Sequence, residues 1–246
     1  MSLNIQTLYE DENTLVINKP VGVVVNRAET ARGETIQDWV EGRMAAEPER
    51  WNREGKLFQL RSGICHRLDK ETSGCLMIAK NQEALVHYLA QFKERKIKKV
   101  YTALVHGRVE PAEGEVRLPL KRSLFDREKW QVHYEGKGAV TEWKVEKRYV
   151  LADTPHYKNS LTLLKLNLKT GRTHQIRVHL SFLGWPIFAD DKYLNKEIAK
   201  NDRGFLSHHF LHAGFLEFSG LDGGKITVDA PLPEDCIRLL SELVLE

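Results

Sequence analysis

The sequence predicts an α+β protein, with a long and mainly antiparallel sheet flanked by helices and loops. Short apolar runs separated by connections of hairpin length favour antiparallel strand pairing. Residues 35–45 and 81–94 instead repeat apolar side chains at helical spacing. With 246 residues and 41% hydrophobic content, the chain is long enough for one large domain or for two halves around a shared core.

The N-terminal part is predicted to be a strand hairpin followed by a helix. Residues 5–9 and 14–18 are apolar runs on either side of the polar residues 11–13, and residues 19–22 form a turn. Residues 35–45 then carry an apolar stripe along one helical face.

The middle of the chain alternates between loops and buried elements. Residues 46–62 are polar and predict a flexible loop, whereas residues 74–80 predict a buried strand. Asn81 is a good N-cap for a helix that runs to about Glu94. The alternating residues 98–106 predict another strand.

The C-terminal half continues the sheet. Residues 107–138 are rich in Gly, Pro and charge and predict hairpins and loops, and residues 140–149 and 160–168 predict a long antiparallel pair. Thr173 is predicted to cap a helix, and residues 234–244 are predicted to form the final helix.

The composition favours a cytoplasmic protein without a cofactor. No run approaches the roughly 20 apolar residues of a membrane span, and the N-terminus lacks the basic start and apolar block of a signal peptide. The three cysteines form no Cys-x-x-Cys pair, and the ten histidines show no convincing metal-ligand spacing with a second carboxylate. We therefore expect no metal, no organic cofactor, no membrane association and no obligate protein partner.

The basic residues are clustered although the net charge is only +3. Residues 93–99 hold five basic side chains. The other two groups are Lys121, Arg122, Arg127 and Lys129, and Lys165, Lys169, Arg172, His174, Arg177 and His179. Such clusters suit a polyanionic partner, but each can equally be a solvated helix face or strand edge.

Residues 65–74 read Cys-His-Arg-Leu-Asp-Lys-Glu-Thr-Ser-Gly and stand directly ahead of a buried apolar run. They present one carboxylate, Asp69, between Arg67 and Lys70, and they end in turn-favouring residues. By residue type alone, an Asp between cations is typical of a surface ion pair. The local pattern predicts a loop that presents this carboxylate and then enters a buried strand.

The residue sequence of this segment resembles the active-site motif of the RluA-type pseudouridine synthases. The similarity recurs in Asn-Lys-Pro-x-Gly at residues 18–22, in Lys-x-Tyr-x-Ala-Leu-Val at 99–105 and in Gly-Arg-Thr-His-Gln-Ile-Arg-Val-His-Leu at 171–180. Residues 186–194 are similar to the family segment Pro-Ile-x-Gly-Asp-x-x-Tyr-Gly. Here Ala189 and Leu194 replace the two glycines, which puts the local loop conformation in question. The resemblance covers roughly residues 5–240.

The resemblance implies an isomerase that breaks the glycosidic bond of a uridine in RNA, turns the uracil and forms a carbon–carbon bond without a cofactor. It implies that Asp69 is the nucleophile and that Arg177 is the cation paired with it. It also places Tyr101 in the active site, where the ring can stack on uracil and the hydroxyl can take part in proton removal. Without the resemblance, Tyr101 reads as a core tyrosine.

The target uridine is stacked in folded RNA and has to be flipped out before it can react. Arg67, two residues from the nucleophile, is predicted to fill the gap, because a guanidinium can stack and hydrogen-bond at once. His66 either contacts the neighbouring RNA backbone or is a structural loop histidine. Arg172 and His174 flank Thr173 at a predicted helix N-terminus, which favours an anionic group, and are predicted to bind RNA.

The resemblance further implies one catalytic domain over residues 1–246, in which two halves of a bent sheet share a central cleft, and no separate N-terminal RNA-binding domain. The partner is ribosomal or transfer RNA. Two other classes of protein stay open. A non-catalytic RNA-binding protein would bind RNA equally well without Asp69, and a metal-dependent phosphohydrolase would be inactivated by chelators.

Overall fold

The computed structural model describes residues 3–28, 33–150 and 160–246, which form twelve strands and six α-helices. The strands are β1 (Gln6–Glu10), β2 (Thr14–Lys19), β3 (Ser73–Ala79), β4 (Lys98–His106), β5 (Glu113–Arg117), β6 (Leu120–Arg122), β7 (Trp130–Val132), β8 (Val140–Val150), β9 (Ser160–Leu168), β10 (Leu211–Ser219), β11 (Lys225–Asp229) and β12 (Val244–Leu245). The helices are α1 (Ile36–Ala46), α2 (Lys56–Arg61), α3 (Gln82–Lys93), α4 (Gln175–Phe182), α5 (Lys196–Asp202) and α6 (Glu234–Glu242), and a short 3-10 helix covers Pro48–Arg50.

The chain divides into two compact units. Unit 1 comprises the residues up to Lys98 together with Ala213–Pro231. Its strands lie in the order β1-β2-β3-β10, and β11 pairs with β10. The β1–β2, β2–β3 and β10–β11 pairs are all antiparallel, as the hairpin spacing predicts.

The core of unit 1 is built around β3, in which every residue is buried. Helix α3 packs on this strand, and its Tyr88 is fully buried with its hydroxyl 2.6 Å from Thr14 Oγ1. The helix begins where predicted, because the side chain of Asn81 accepts a hydrogen bond from Ala84 N. Thr35 caps α1 in the same way, in a reciprocal arrangement with Asp38.

Unit 2 comprises Lys99–His212 together with Leu232–Glu246. Its strands lie in the order β4-β9-β8-β12, and β5 pairs with the outer side of β8. The β4–β9, β8–β9 and β5–β8 pairs are antiparallel, so the α+β class with a mainly antiparallel sheet is confirmed. Strands β6 and β7 form a separate hairpin.

The structure departs from the sequence prediction at two helices. The segment 46–62, predicted to be a loop, contains the 3-10 helix and α2. Helix α2 is too short to show an apolar period, and Phe58 is its one buried side chain. Helix α4 begins at Gln175 and follows His174 rather than a Thr173 cap. Among the described residues, no helix is both long enough and apolar enough to span a membrane.

Candidate active site

Asp69 lies in unit 1 on an irregular segment between α2 and β3, as predicted. We call residues 65–72 the Asp69 loop. The Asp69 side chain is half-buried, and its backbone carbonyl accepts a hydrogen bond from Thr72 N at 3.1 Å, which closes a turn directly ahead of β3. The carboxylate is therefore presented at the surface from a turn anchored in the core.

Lys19 anchors the Asp69 loop through a hydrogen bond from its buried side chain. Its side chain is fully buried, and Nζ donates to the carbonyls of Pro20, Val23 and Lys70 at 2.7, 2.8 and 3.0 Å. Burial lowers the pKa of Lys19 to about 7, and the nearby charge of Asp69 partly opposes that shift. The Asn-Lys-Pro motif was visible in the sequence, but nothing in it showed that this lysine would be buried beside Asp69.

We expect the buried Lys19 to make stability depend on pH. Between its folded pKa of about 7 and an ordinary lysine pKa of about 10.4, the unfolded chain binds a proton that the folded chain does not. The free energy of unfolding should therefore rise with pH in this window, by at most about 1.4 kcal/mol per pH unit. Denaturant unfolding of wild type and Lys19→Met at several pH values measures the difference.

The control for this experiment is Lys70→Met, because the Lys70 side chain is exposed and only its carbonyl is used. Its stability should follow the wild-type pH dependence. A constant stability difference between wild type and Lys19→Met from pH 7 to 10 would show that Lys19 titrates normally.

Arg67 and His66 occupy different environments on the Asp69 loop. Arg67 is exposed. The Nε2 atom of His66 accepts a hydrogen bond from Met77 N of β3 at 3.0 Å, and its ring lies 4.9 Å from that of Phe92. Of the two interpretations of His66, these contacts favour the structural one, whereas Arg67 is accessible to a ligand.

Gly74 ends the motif because its backbone leaves no room for a side chain. Its φ is +111°, and a Cβ there would lie 2.3 Å from the carbonyl oxygen of Ala213. Both features require glycine. The start of β3 therefore packs closely against the backbone of Ala213.

Tyr101 lies in unit 2 on β4, where it is buried and aligned with Leu166 of β9. Lys99 stands two residues earlier and hence on the same face of the strand. Burial lowers the pKa of Lys99 to about 8, and its Nζ lies beside Gly171, the first residue of the motif at 171–180. The burial of Lys99 was not predicted from the sequence, although the Lys-x-Tyr spacing places it on the same strand face as Tyr101.

Arg177 makes a buried ion pair within unit 2. Its Nε and Nη2 donate to the two carboxylate oxygens of Asp190 at 2.7 and 2.8 Å, and its guanidinium lies 5.1 Å from the centre of the Tyr193 ring. Burial alone would raise the pKa of Asp190, but the hydrogen bonds and charge of Arg177 hold it below the ordinary value. Asp190 is thus a fixed carboxylate that orients Arg177.

The turn ahead of Arg177 is organised by the buried side chain of Gln175. Its Oε1 accepts from Thr170 Oγ1 and Arg172 N at 2.7 and 3.0 Å, and its Nε2 donates to the Val140 carbonyl at 3.0 Å. One amide side chain therefore joins the end of β9, the turn and the start of β8. This explains why α4 begins at Gln175.

The third basic cluster of the sequence is only partly a surface feature. Arg172 is exposed, whereas Arg177 and His179 are buried. The pKa of His179 is lowered by burial, and its ring bonds to Thr141 Oγ1 and the Leu118 carbonyl. Two members of the cluster thus belong to the interior and cannot serve a polyanion as surface cations.

His174 is held inside unit 2 rather than projecting freely. It adopts a left-handed backbone with φ of +54°, and its Nδ1 lies 2.8 Å from the hydroxyl of Tyr193. That hydroxyl also accepts a hydrogen bond from Trp130 N at 2.8 Å. The structure therefore brings Arg177, Asp190, Tyr193 and His174 together.

Ala189, the first of the two residues that replace family glycines, keeps the backbone conformation that glycine favours. Its φ is +61°, so the backbone keeps a left-handed conformation without glycine at this position. Its amide donates to Asp202 Oδ2 at 2.9 Å, and Asp202 also meets the buried ring of His106 at 2.8 Å. These bonds hold the turn that carries Asp190.

Comparison with known proteins gives the class of protein that this fold and these motifs define. Residues 13–182 match the family described as RNA pseudouridylate synthase. The chain is 37% identical to the RNA pseudouridine synthase YlyB of Bacillus subtilis, covering 98% of this chain and 73% of that protein. It is also 37% identical to the ribosomal large subunit pseudouridine synthase D of Neisseria meningitidis, covering all of this chain but only 62% of the relative.

Solved structures agree with this result. The human RNA pseudouridylate synthase domain containing 1 superposes with a TM-score of 0.73 at 25% identity, covering 99% of this chain and 89% of the human one. The chain belongs to the RNA pseudouridylate synthase family. It is an isomerase that acts on RNA, which confirms the fold class and the activity predicted from the motifs.

Proposed function

We propose that the chain converts a uridine of large-subunit ribosomal RNA into pseudouridine, with Asp69 as the covalent nucleophile. The observation that carries the catalytic part is the half-buried Asp69 carboxylate on a loop that Lys19 ties to the core. The choice of RNA is supported by the Neisseria relative and by the ribosomal large subunit pseudouridine synthase C of Escherichia coli, which is 36% identical over 96% of this chain.

The proposed reaction is balanced without a redox partner. The carboxylate of Asp69 bonds to a substrate carbon, either of the sugar or of the uracil ring, and the bond from N1 to the sugar breaks. The uracil turns, its C5 bonds to the sugar, the proton on C5 leaves, N1 gains a proton, and Asp69 is released. Tyr101 stacks on the uracil and can accept or relay the proton from C5, while Arg177 is the cation paired with Asp69.

Exposed aromatic and basic side chains on unit 2 support RNA as the partner. We call residues 120–134, which include β6 and β7, the basic hairpin. At its tip Phe125 is 97% exposed, and Arg122 lies 5.7 Å from the ring centre of Trp130. Aromatic faces beside cations suit unpaired bases and phosphates.

The base of the basic hairpin is attached to the residues around Arg177. Trp130 and Val132 pack against the cluster of Leu120, Ala139 and Val178. Trp130 also donates its amide to Tyr193, over whose ring Arg177 lies. RNA bound at the tip would therefore be connected to Arg177 through these packed residues.

Phe125→Ala should weaken RNA binding without affecting folding. Loss of one base–aromatic stack costs about 1–3 kcal/mol, or roughly 5- to 150-fold in the dissociation constant. Because Phe125 is 97% exposed, the thermal midpoint should stay unchanged. Single-turnover rates at a series of enzyme concentrations separate the weaker binding from an unchanged maximal rate.

Leu60→Ala is the matched control, since Leu60 is a 75% exposed apolar residue of unit 1. It should bind RNA as wild type does. If Phe125→Ala binds RNA as tightly as wild type does, the proposed contact between the basic hairpin and RNA is contradicted.

The choice of RNA is tested by mapping pseudouridine in total RNA from cells with and without the gene. Loss of one or a few positions in large-subunit ribosomal RNA is the expected result. Loss confined to transfer RNA would contradict the proposed substrate but leave the isomerase activity intact. An unchanged map would contradict both parts of the proposal.

A further inference from the structure

Among the residues that the structure describes, three chemically different metal-binding side chains converge in unit 2. Nitrogen, oxygen and sulfur atoms of His208, Asp235 and Cys236 lie within 4.8 Å of one another. His208 lies in the segment between α5 and β10, whereas Asp235 and Cys236 belong to the first turn of α6. The histidine and the cysteine are buried, and the Asp235 side chain is 36% exposed, which leaves one path to solvent.

The hydrogen bonds of His208 fix where its ring proton lies. Its Nδ1 is 3.1 Å from the carbonyl oxygen of His209, which can only accept, so Nδ1 carries a hydrogen. Its Nε2 is 3.0 Å from Asp235 Oδ2. The Nε2 atom and the carboxylate oxygen thus face each other at a distance where both can bind one cation.

This arrangement of His208 is the one that metal-binding histidines generally adopt. Such a histidine donates its other ring N–H to a backbone carbonyl, and this bond sets both the tautomer and the ring direction. Cys236 supplies the third donor. Its pKa is raised by burial and by the carboxylate and hydrogen bond of Asp235, so the thiol keeps its proton when no metal is present.

We propose that His208, Asp235 and Cys236 form a structural site for a zinc-class divalent cation. Imidazole, carboxylate and thiolate are all zinc ligands, and water at the exposed side would complete a tetrahedral set. Cys236 would bind as the thiolate, so its proton is released to solvent when the cation binds.

The site would fasten α6 to the segment ahead of β10. Cys236 and Leu239 of α6 already pack in the core cluster of unit 2 with Phe210. A metal would add a coordinate link at the first turn of this helix. None of the residues assigned to the isomerisation takes part, so activity in the presence of a chelator is expected to continue.

The test uses the whole 246-residue chain, stripped with a chelator and titrated with Co²⁺ as a spectroscopic probe. We expect one Co²⁺ per chain, a thiolate-to-cobalt charge-transfer band, and displacement of the cobalt by Zn²⁺. Free Zn²⁺ at about 100 times its Kd should raise the thermal midpoint by roughly 5–10 °C.

Variants locate the site. Cys236→Ala should abolish the cobalt band, whereas Cys65→Ala, which removes another buried thiol, should keep it. Asp235→Asn serves if Cys236→Ala does not fold, because this side chain is partly exposed and its amide oxygen can still accept from Cys236 N. It should weaken cobalt binding at least tenfold. Absence of the band in wild type, or its persistence in Cys236→Ala, means that the residues form only a hydrogen-bonded His–Asp pair and overturns the proposal.

Discussion

Asp69→Asn should abolish pseudouridine formation while leaving the protein folded. The change removes the nucleophilic oxygen but keeps the size of the side chain, and losses of at least about a thousandfold are expected when a nucleophile is removed. The side chain is half-buried on a loop whose main bonds are made by the backbone and Lys19. The thermal midpoint should therefore shift by less than about 4 °C. Single-turnover assays with saturating enzyme measure the rate, and filter binding measures RNA affinity.

Arg67→Ala is the informative companion variant, because Arg67 is exposed on the same loop and is assigned to base flipping. Flipping costs a few kcal/mol in a stacked stem and much less in a single strand. This variant should lose most activity on structured RNA and little on an unstructured oligonucleotide, whereas Asp69→Asn should be inactive on both. Residual Asp69→Asn turnover above about a thousandth of wild type would falsify the nucleophile assignment.

Of the proposed variants, Asp190→Asn should cause the largest loss in the free energy of unfolding. The Asp190 side chain is fully buried and accepts two hydrogen bonds from Arg177 and two more from Lys192 N and Tyr193 N. Removing one charge of a buried pair typically costs about 3–5 kcal/mol. Catalysis should also decline, because Arg177 loses the group that orients it. Urea unfolding at pH 7 measures the stability, and rates below the unfolding transition measure the catalytic effect.

The adjacent Asp191 provides the control. Its carboxylate is 50% exposed and lies 3.6 Å from Arg203, so Asp191→Asn should cost no more than about 1 kcal/mol. The pKa of Asp190 is lowered in the folded state. Its stabilisation is therefore fully present above the ordinary aspartate pKa of about 3.9 and is lost as the pH falls through the folded value. Similar stability losses in the two variants at pH 7 would contradict the importance of the buried pair.

Local sequence signals predicted most of the fold, and their failures have identifiable causes. Asn81 starts α3 as predicted, because an N-cap acts on amides only three residues away. Helix α2 was missed because six residues cannot display a period, and Phe58 is its one buried side chain. The start of α4 was misplaced because it depends on Gln175 bonding to β8, which is distant in sequence.

The secondary structure around site residues was predictable where those residues lie within a contiguous sequence motif. The loop position of Asp69 and the strand position of Tyr101 follow from flanking apolar patterns and are confirmed. The partnership of Arg177 with Asp190 and the burial of Lys19 arise only when distant segments pack together, so neither could be deduced from spacing. The catalytic roles of these residues stay predictions until the variants are measured.

Because the protein uses the backbone carbonyl of Lys70 and leaves its side chain exposed, this position is suited to a label that reports RNA binding. Its carbonyl accepts from both Lys19 Nζ and Gly22 N, while its side chain points into solvent immediately after the proposed nucleophile. All three native cysteines are buried, so a cysteine introduced at position 70 would be the only thiol readily reached by a maleimide dye. Such a label would report the arrival and departure of RNA in real time, because the chain needs the backbone at this position and not its side chain.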